Sequence, residues 1–168
     1  EELSASYQKI TGGMSVDWDG ESKTIPQLQP YLKDRDRGVR ERAFRLGAQA
    51  YLDKRDELAD LFDRMYALRT AVSREAGFSD FQQYCFQAKH RFDYSPADTA
   101  RFHEAVQRTV TPAVARLMRH RQQKLGLDVL RPWDVGVDLD ATTPLKPFAD
   151  VGTFVGKARR IFSRVDQE

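Results

Sequence analysis

The 168-residue sequence predicts a mainly α fold of long antiparallel helices with a small N-terminal β-hairpin. Three observations carry that expectation. Apolar residues recur at spacings of three and four from Val39 to Ala76, the period that gives a helix one buried stripe. The run Ser95-Pro96-Ala97-Asp98 supplies a cap, a first-turn proline and a reciprocal acid for a later helix. Ahead of both, period-two alternation flanks Asp19-Gly20, a short-range hairpin signal.

Residues 1–25 read as the hairpin lead-in. In MSVDWDGESKTI, Val16 and Trp18 alternate on one side of the turn, and Lys23 and Ile25 on the other. Gly12-Gly13 lacks the Lys-Ser/Thr and helix start of a phosphate loop, so it reads as a bulge or tight bend. Asp17 and Asp19 belong to a strand and its turn rather than to an acid/base pair.

Residues 26–126 read as a helical scaffold. Asp34 or Asp36 caps its first helix, whose stripe runs through Val39, Ala43, Leu46, Ala50, Leu58, Leu61, Met65, Leu68, Val72 and Ala76. The polar stretch DKRDE interrupts it and Gly77 ends it, giving one long helix or two in line, about 57 Å end to end. Gly47 is a candidate bend. Ser79, with Gln82 at the reciprocal position, caps a short second helix carrying Phe81, Tyr84, Cys85 and Ala88. The third helix opens at Ser95 and runs through His103 to about Gly126, with a kink at Pro112 or a break recapped by Thr111. Residues 127–147 hold three prolines and little helical period, so they read as loop with room for one short strand. Residues 148–168 carry a terminal helix from Phe148 or Asp150 through Val165. All of this forms one partial domain without internal repeats.

Composition excludes several classes. The 27 basic and 25 acidic residues nearly cancel to +2, so nucleic acid is disfavoured as a partner. A single cysteine, Cys85, forbids an internal disulfide and cysteine-rich zinc modules, and points to a reducing compartment, the cytoplasm. No apolar run approaches the roughly 20 residues of a membrane span, so a soluble chain is expected. The sequence opens on Glu1 rather than Met and halts at SRVDQE, from which a segment of a longer protein is expected.

The nearest approach to a catalytic motif is RFHEAVQR, residues 101–108. His103 and Glu104 match the start of a zinc-protease helix, but the second ligand position holds Gln107, whose neutral carboxamide competes poorly for zinc. The other histidines, His90 and His120, sit among Lys and Arg that oppose a dication. Cys85, between aromatics in QYCF, reads as a buried small hydrophobe. Glu57, Asp60 and Asp63 are interleaved with Lys54, Arg55 and Arg64, as on a solvated ion-pair face. Arg116–Lys124 is the densest basic run. Without aromatic residues to stack on bases, it reads as a hydrated helix face, as do Arg40, Arg42 and Arg45 with Glu41. Phe102, Val106, Ala113 and Leu117 read as core rather than docking surface. No catalytic, binding or metal residue is therefore assigned.

Several stretches resemble the zinc oligopeptidases of the oligoendopeptidase F and thimet oligopeptidase family: ITGGMSVDWDGESKTIPQLQPYLKDRDRGVRERAFRL, LADLFDRMYALR, AGFSDFQQY, KHRFDYSPADTARFHEAV and LRPWD. Leu130-Arg131-Pro132-Trp133-Asp134 is similar to a family Pro-Trp-Asp element, although Val135-Gly136-Val137 departs from the tyrosines that often follow in the thimet branch. The resemblance implies part of a larger helical zincin-like peptidase fold, upstream of an H-E-x-x-H zinc helix that this sequence lacks. It carries no zinc ligand or catalytic base onto any numbered position, and it leaves His103-Glu104 a coincidence on a scaffold helix. It implies a non-catalytic scaffold and channel wall, inactive alone, with zinc, oligopeptide substrate and the remainder of the chain as partners in the full-length enzyme. Two alternatives remain: a free-standing module that binds an acidic partner through Arg116–Lys124, and a protein that kept the scaffold without the active site.

Overall fold

A computed structural model describes residues 2–140 and 147–165. The chain begins with a helix, α1 (Glu2–Gly12), which the hairpin reading of residues 1–25 did not anticipate. Only Leu3, Ile10 and Thr11 in it are half-buried, so too few apolar residues carry its period. The hairpin follows as β1 (Ser15–Trp18) and β2 (Glu21–Thr24), with Val16 opposite Lys23 and Trp18 opposite Glu21. Its two-residue turn places Asp19 at φ 55° and Gly20 at φ 84°. That left-handed pair matches strand twist, which is why an Asp-Gly dipeptide marks the turn.

Two 3₁₀ turns, Ile25–Leu28 and Tyr31–Lys33, lead to α2 (Arg37–Asp53). Asp36 is its cap, accepting from Gly38 N at 2.7 Å and Val39 N at 3.4 Å. Lys54 leaves helical geometry at φ −104°, ψ 9°, and α3 (Arg55–Glu75) starts at once, so DKRDE separates two helices. Helix α1 packs along α3. Gly47 lies in unbroken helix: a Cβ there would stand 3.6 Å from Leu28 Cδ1, so the glycine serves close packing and no bend.

At the end of α3, Phe78 N donates to Ser73 O and Gly77 N to Arg74 O, with Gly77 at φ 79°. This is the paired closure that glycine favours. Helix α4 (Phe81–Ala88) is capped by Asp80, which accepts from Gln83 N at 2.9 Å. Ser79 stands one residue too early to cap and instead donates to Asp80 Oδ2 at 3.3 Å. The end of α4 repeats the closure, Arg91 N to Phe86 O and His90 N to Gln87 O, but with His90 at φ 54° in the glycine position. A left-handed histidine carries strain, so His90→Gly is expected to leave stability unchanged or raise it by up to about 1 kcal/mol, measured by urea unfolding. A loss beyond about 1 kcal/mol would mean that the imidazole makes a stabilising contact.

Helix α5 (Pro96–Lys124) opens on a complete capping box, Asp98 N to Ser95 Oγ at 3.2 Å and Ser95 N to Asp98 Oδ2 at 2.8 Å. It runs through Pro112 without the break or the Thr111 recapping. Gly126, at φ 64°, closes it. The described part of residues 127–147 holds a 3₁₀ turn at Pro132–Asp134 and no strand, and the stretch around Pro144 lies outside the described residues. Helix α6 (Val151–Val165) starts from Asp150, which accepts from Thr153 N at 2.7 Å.

The core is small. Trp18, Leu28 and Ala43 form its centre, with Val16, Tyr31, Leu32, Val39 and Leu46 packed around them. Helix α5 contributes no buried residue. Its stripe was expected in the core, yet Phe102 is 66% and Leu117 63% exposed, with Val106 and Ala113 half-buried. Helical period specifies a face, but the described chain places too little against α5 to cover it.

Candidate functional site

The most organised polar site joins the first turn of α2 to the Pro132–Asp134 turn. Asp134 is fully buried, and Arg40, 3% exposed, lies beside it on the same helical side as Ala43. Arg37 grips the carboxylate with both arms of its guanidinium, Nε to Oδ1 at 3.0 Å and Nη2 to Oδ2 at 2.9 Å. Arg40 Nη2 donates to Oδ1 at 3.0 Å, and the Arg131 backbone N–H to Oδ2 at 2.9 Å. The rest of Arg40 is satisfied by the carbonyls of Trp133, Asp34 and Arg35 at 2.9–3.0 Å.

Burial opposes the charge on Asp134, but the hydrogen bonds from Arg37, Arg131 and Arg40 outweigh it and hold the carboxyl at about 2. Such a group stays ionised at neutral pH, so it is neither a general acid nor a reactive base. Its geometry is that of a saturated clamp. The sequence reading, which placed Arg40 on a hydrated face, is corrected here. Arg40 sits one turn from Ala43 on the core stripe, and that spacing was the available signal. Arg42 and Arg45 are exposed as expected, though Arg42 covers Trp18 at 4.4 Å and Arg45 covers Trp133 at 5.1 Å. Trp133 Nε1 is buried without a hydrogen-bond partner among the described residues.

The other candidates stay apart. His90, His103 and His120 are all exposed. No group of three or more His, Cys, Asp or Glu able to hold a metal comes together among the described residues, so the donor set present does not fit zinc. Cys85 is half-buried rather than buried. Lys54 pairs with Glu57 at 3.0 Å and Arg64 with Asp60 at 3.8 Å, all exposed, as on a solvated face. Asp17 accepts from Gly20 N at 3.4 Å while Asp19 pairs with Arg42 at 2.7 Å, so the two serve the turn separately.

The basic run is partly spent on structure. Arg121 donates to the Val137 carbonyl at 2.7 Å, and Lys124 pairs with Asp140. These contacts fasten the end of α5 to the segment after Asp134 and leave Arg116 and Arg119 as its exposed arginines.

A groove of about 620 Å³ lies between the end of α4 and the start of α5, lined by Phe78, Phe86, Arg91, Phe92, Tyr94 and Asp98 among others. Asp98 is held below the usual carboxylate range by the Ser95 hydroxyl and then the Ser95 N–H, so its charge is committed to capping α5. No helix among the described residues is long and apolar enough to cross a membrane.

Residues 30–162 match the sequence profile of Peptidase family M3. The chain belongs to peptidase family M3. Three solved structures share its fold. One is an X-ray structure at 3.1 Å described as oligoendopeptidase F, with 26% identity and TM-score 0.91, covering 99% of this chain and 29% of that chain. A second, described as an oligoendopeptidase F from Bacillus anthracis str. Ames, has 22% identity and TM-score 0.88 over 98% of this chain and 30% of its own. The third, PZ peptidase A with inhibitor 2, has 22% identity and TM-score 0.91 over 99% of this chain and 29% of its own. Curated proteins gave no match. The M3 chain thus spans less than a third of the length of these structures, and the mainly helical fold with a small hairpin is theirs too. The Leu130–Asp134 run on which the family resemblance partly rested is the run that carries the clamp.

Proposed function

We propose that this M3 chain is the scaffold and channel-wall portion of a cytoplasmic zinc oligoendopeptidase that hydrolyses short peptides, with the metal ligands and catalytic base supplied by other segments. One observation carries the reading. The chain exposes 13337 Å² at 19.3 kDa, whereas a compact monomer of that mass exposes about 8,500 Å². The surplus, about 4,800 Å², exceeds the area of a standard protein interface and includes large apolar residues on α3, α5 and α6. Such a surface suits a part whose faces are covered by more protein, and the match to less than a third of each relative supports the same view. Wall helices of this kind would limit substrates by size, by steric exclusion.

The free-standing anion-binding alternative loses support because Arg121 and Lys124 are engaged within the chain. The test uses the purified 168-residue chain. After dialysis against zinc, elemental analysis is expected to find well under one equivalent, a quenched oligopeptide is expected to stay intact, and an apolar dye is expected to bind strongly. Stoichiometric zinc lost on His103→Ala, or a dye-silent monomer, would overturn the proposal.

A further inference from the structure

The groove at the junction of α4 and α5 carries chemistry that a wall alone does not use. Its most buried side is the Phe86 ring, with Tyr94 edge-on at 5.5 Å, and Phe78 and Phe92 extend the aromatic lining. The left-handed turn at His90, closed by Arg91 N to Phe86 O, leads the chain from α4 directly onto the rim. Two opposite charges stand there. The Arg91 guanidinium packs 5.5 Å from the centre of the Phe86 ring, and Asp93 lies two residues on. Neither forms an ion pair among the described residues, whereas Asp98 is engaged by Ser95 and Arg101. The exposed amides of Gln83 and Gln87 line the same space. At about 620 Å³ the groove falls within the range of about 300–1,000 Å³ that holds small ligands against aromatic walls and a few polar groups.

We propose that this groove binds a short zwitterionic peptide of the dipeptide class, with its carboxylate on Arg91, its ammonium group on Asp93 and an apolar or aromatic side chain against the Phe86 and Tyr94 rings. Charge selects the ligand. A simple anion gains Arg91 but faces Asp93, and a simple amine gains Asp93 but faces Arg91. A zwitterion satisfies both. A guanidinium already packed on a ring is placed to donate two parallel N–H bonds to a carboxylate. The two glutamine amides suit a peptide group, which a free amino acid lacks. The assignment stands on the groove alone; the wall reading adds only that hydrolysis of short peptides releases ligands of this class.

The experiment titrates the 168-residue chain with the dipeptide Leu-Phe, read by calorimetry and by amide NMR shifts over residues 86–95. Saturable binding at one site is expected. N-acetyl-Leu-Phe, without the ammonium group, Leu-Phe amide, without the carboxylate, and free phenylalanine are each expected to bind about 10-fold more weakly. Those changes leave the protein untouched, so loss of fold cannot mimic them. Asp93→Asn is expected to weaken Leu-Phe about 10-fold and to leave N-acetyl-Leu-Phe unchanged, and Arg91→Gln to do the same for Leu-Phe against its amide. Both side chains are exposed, so the variants' urea midpoints should match the parent. Equal affinity for blocked and free peptides, equal loss of every ligand in either variant, or no saturation by Leu-Phe overturns the site. Phenylalanine bound as tightly as Leu-Phe overturns the dipeptide class. None of these results touches the wall reading, which is tested by zinc content and dye binding.

Discussion

Asp134→Ala is expected to destabilise the chain by about 3–5 kcal/mol in urea unfolding, because it leaves the buried Arg40 guanidinium without its counter-charge. Asp134→Asn tests charge against shape, since an amide keeps the volume but presents one acceptor in place of two and sets its own donors against those of the arginines. It is expected to recover only a small part of the loss. Asp60→Ala, which removes an exposed pair with Arg64 at 3.8 Å, is the control and should cost well under about 1 kcal/mol. A similar cost for Asp60 and Asp134 would show that the clamp contributes nothing beyond an ordinary surface pair.

The same carboxylate gives the acid limb its direction. Its folded value, about 2, lies below the usual unfolded value near 3.9. The protonated form is therefore favoured on unfolding, and the clamp's contribution is complete above about pH 4 and lost as pH falls toward 2. The difference corresponds to about 2–3 kcal/mol. In Asp134→Asn the stability profile between pH 4 and 2 is expected to be flatter by that amount. An unaltered slope would place the acid sensitivity in other carboxylates.

Trp18→Ala carries the second large effect. The indole is 6% exposed, with the Tyr31 ring tilted against it at 4.3 Å and the Arg42 guanidinium at 4.4 Å. With so few residues at the core centre, little can collapse into the space left, and a loss of about 3–5 kcal/mol is expected. Trp133 remains as the only tryptophan, so its fluorescence reports the unfolding of the variant. Arg42→Ala removes only the exposed cap and its ion pair with Asp19, and should cost about 1 kcal/mol or less. A Trp18→Ala cost as small as that of Arg42→Ala would show that the hairpin is an ornament on α2 rather than half of its core.

Features fixed by local chemistry were legible in the sequence. Asp19-Gly20 set the hairpin, Ser95 with Asp98 set the start of α5, and Gly77 and Gly126 set two helix ends. The misses have physical reasons. Ser79 and Asp80 are both competent caps, and only their position relative to Phe81 decides between them. The strip on α5 was visible, but whether anything covers it depends on neighbours that a period does not name. The clamp was the largest omission, because a charged residue at a core position reads as surface until its partner, 94 residues away, is brought alongside.

The distance between those partners sets an order of events. Arg40 leaves the ribosome long before Asp134, and until the Pro132–Asp134 turn has been synthesised its guanidinium has no anion to face. During that interval the first turn of α2 stays hydrated or borrows a counter-ion, while the hairpin and the rest of α2 already have the residues of their common core. Any polypeptide that ends before Pro132 keeps that first turn without its buried counter-charge.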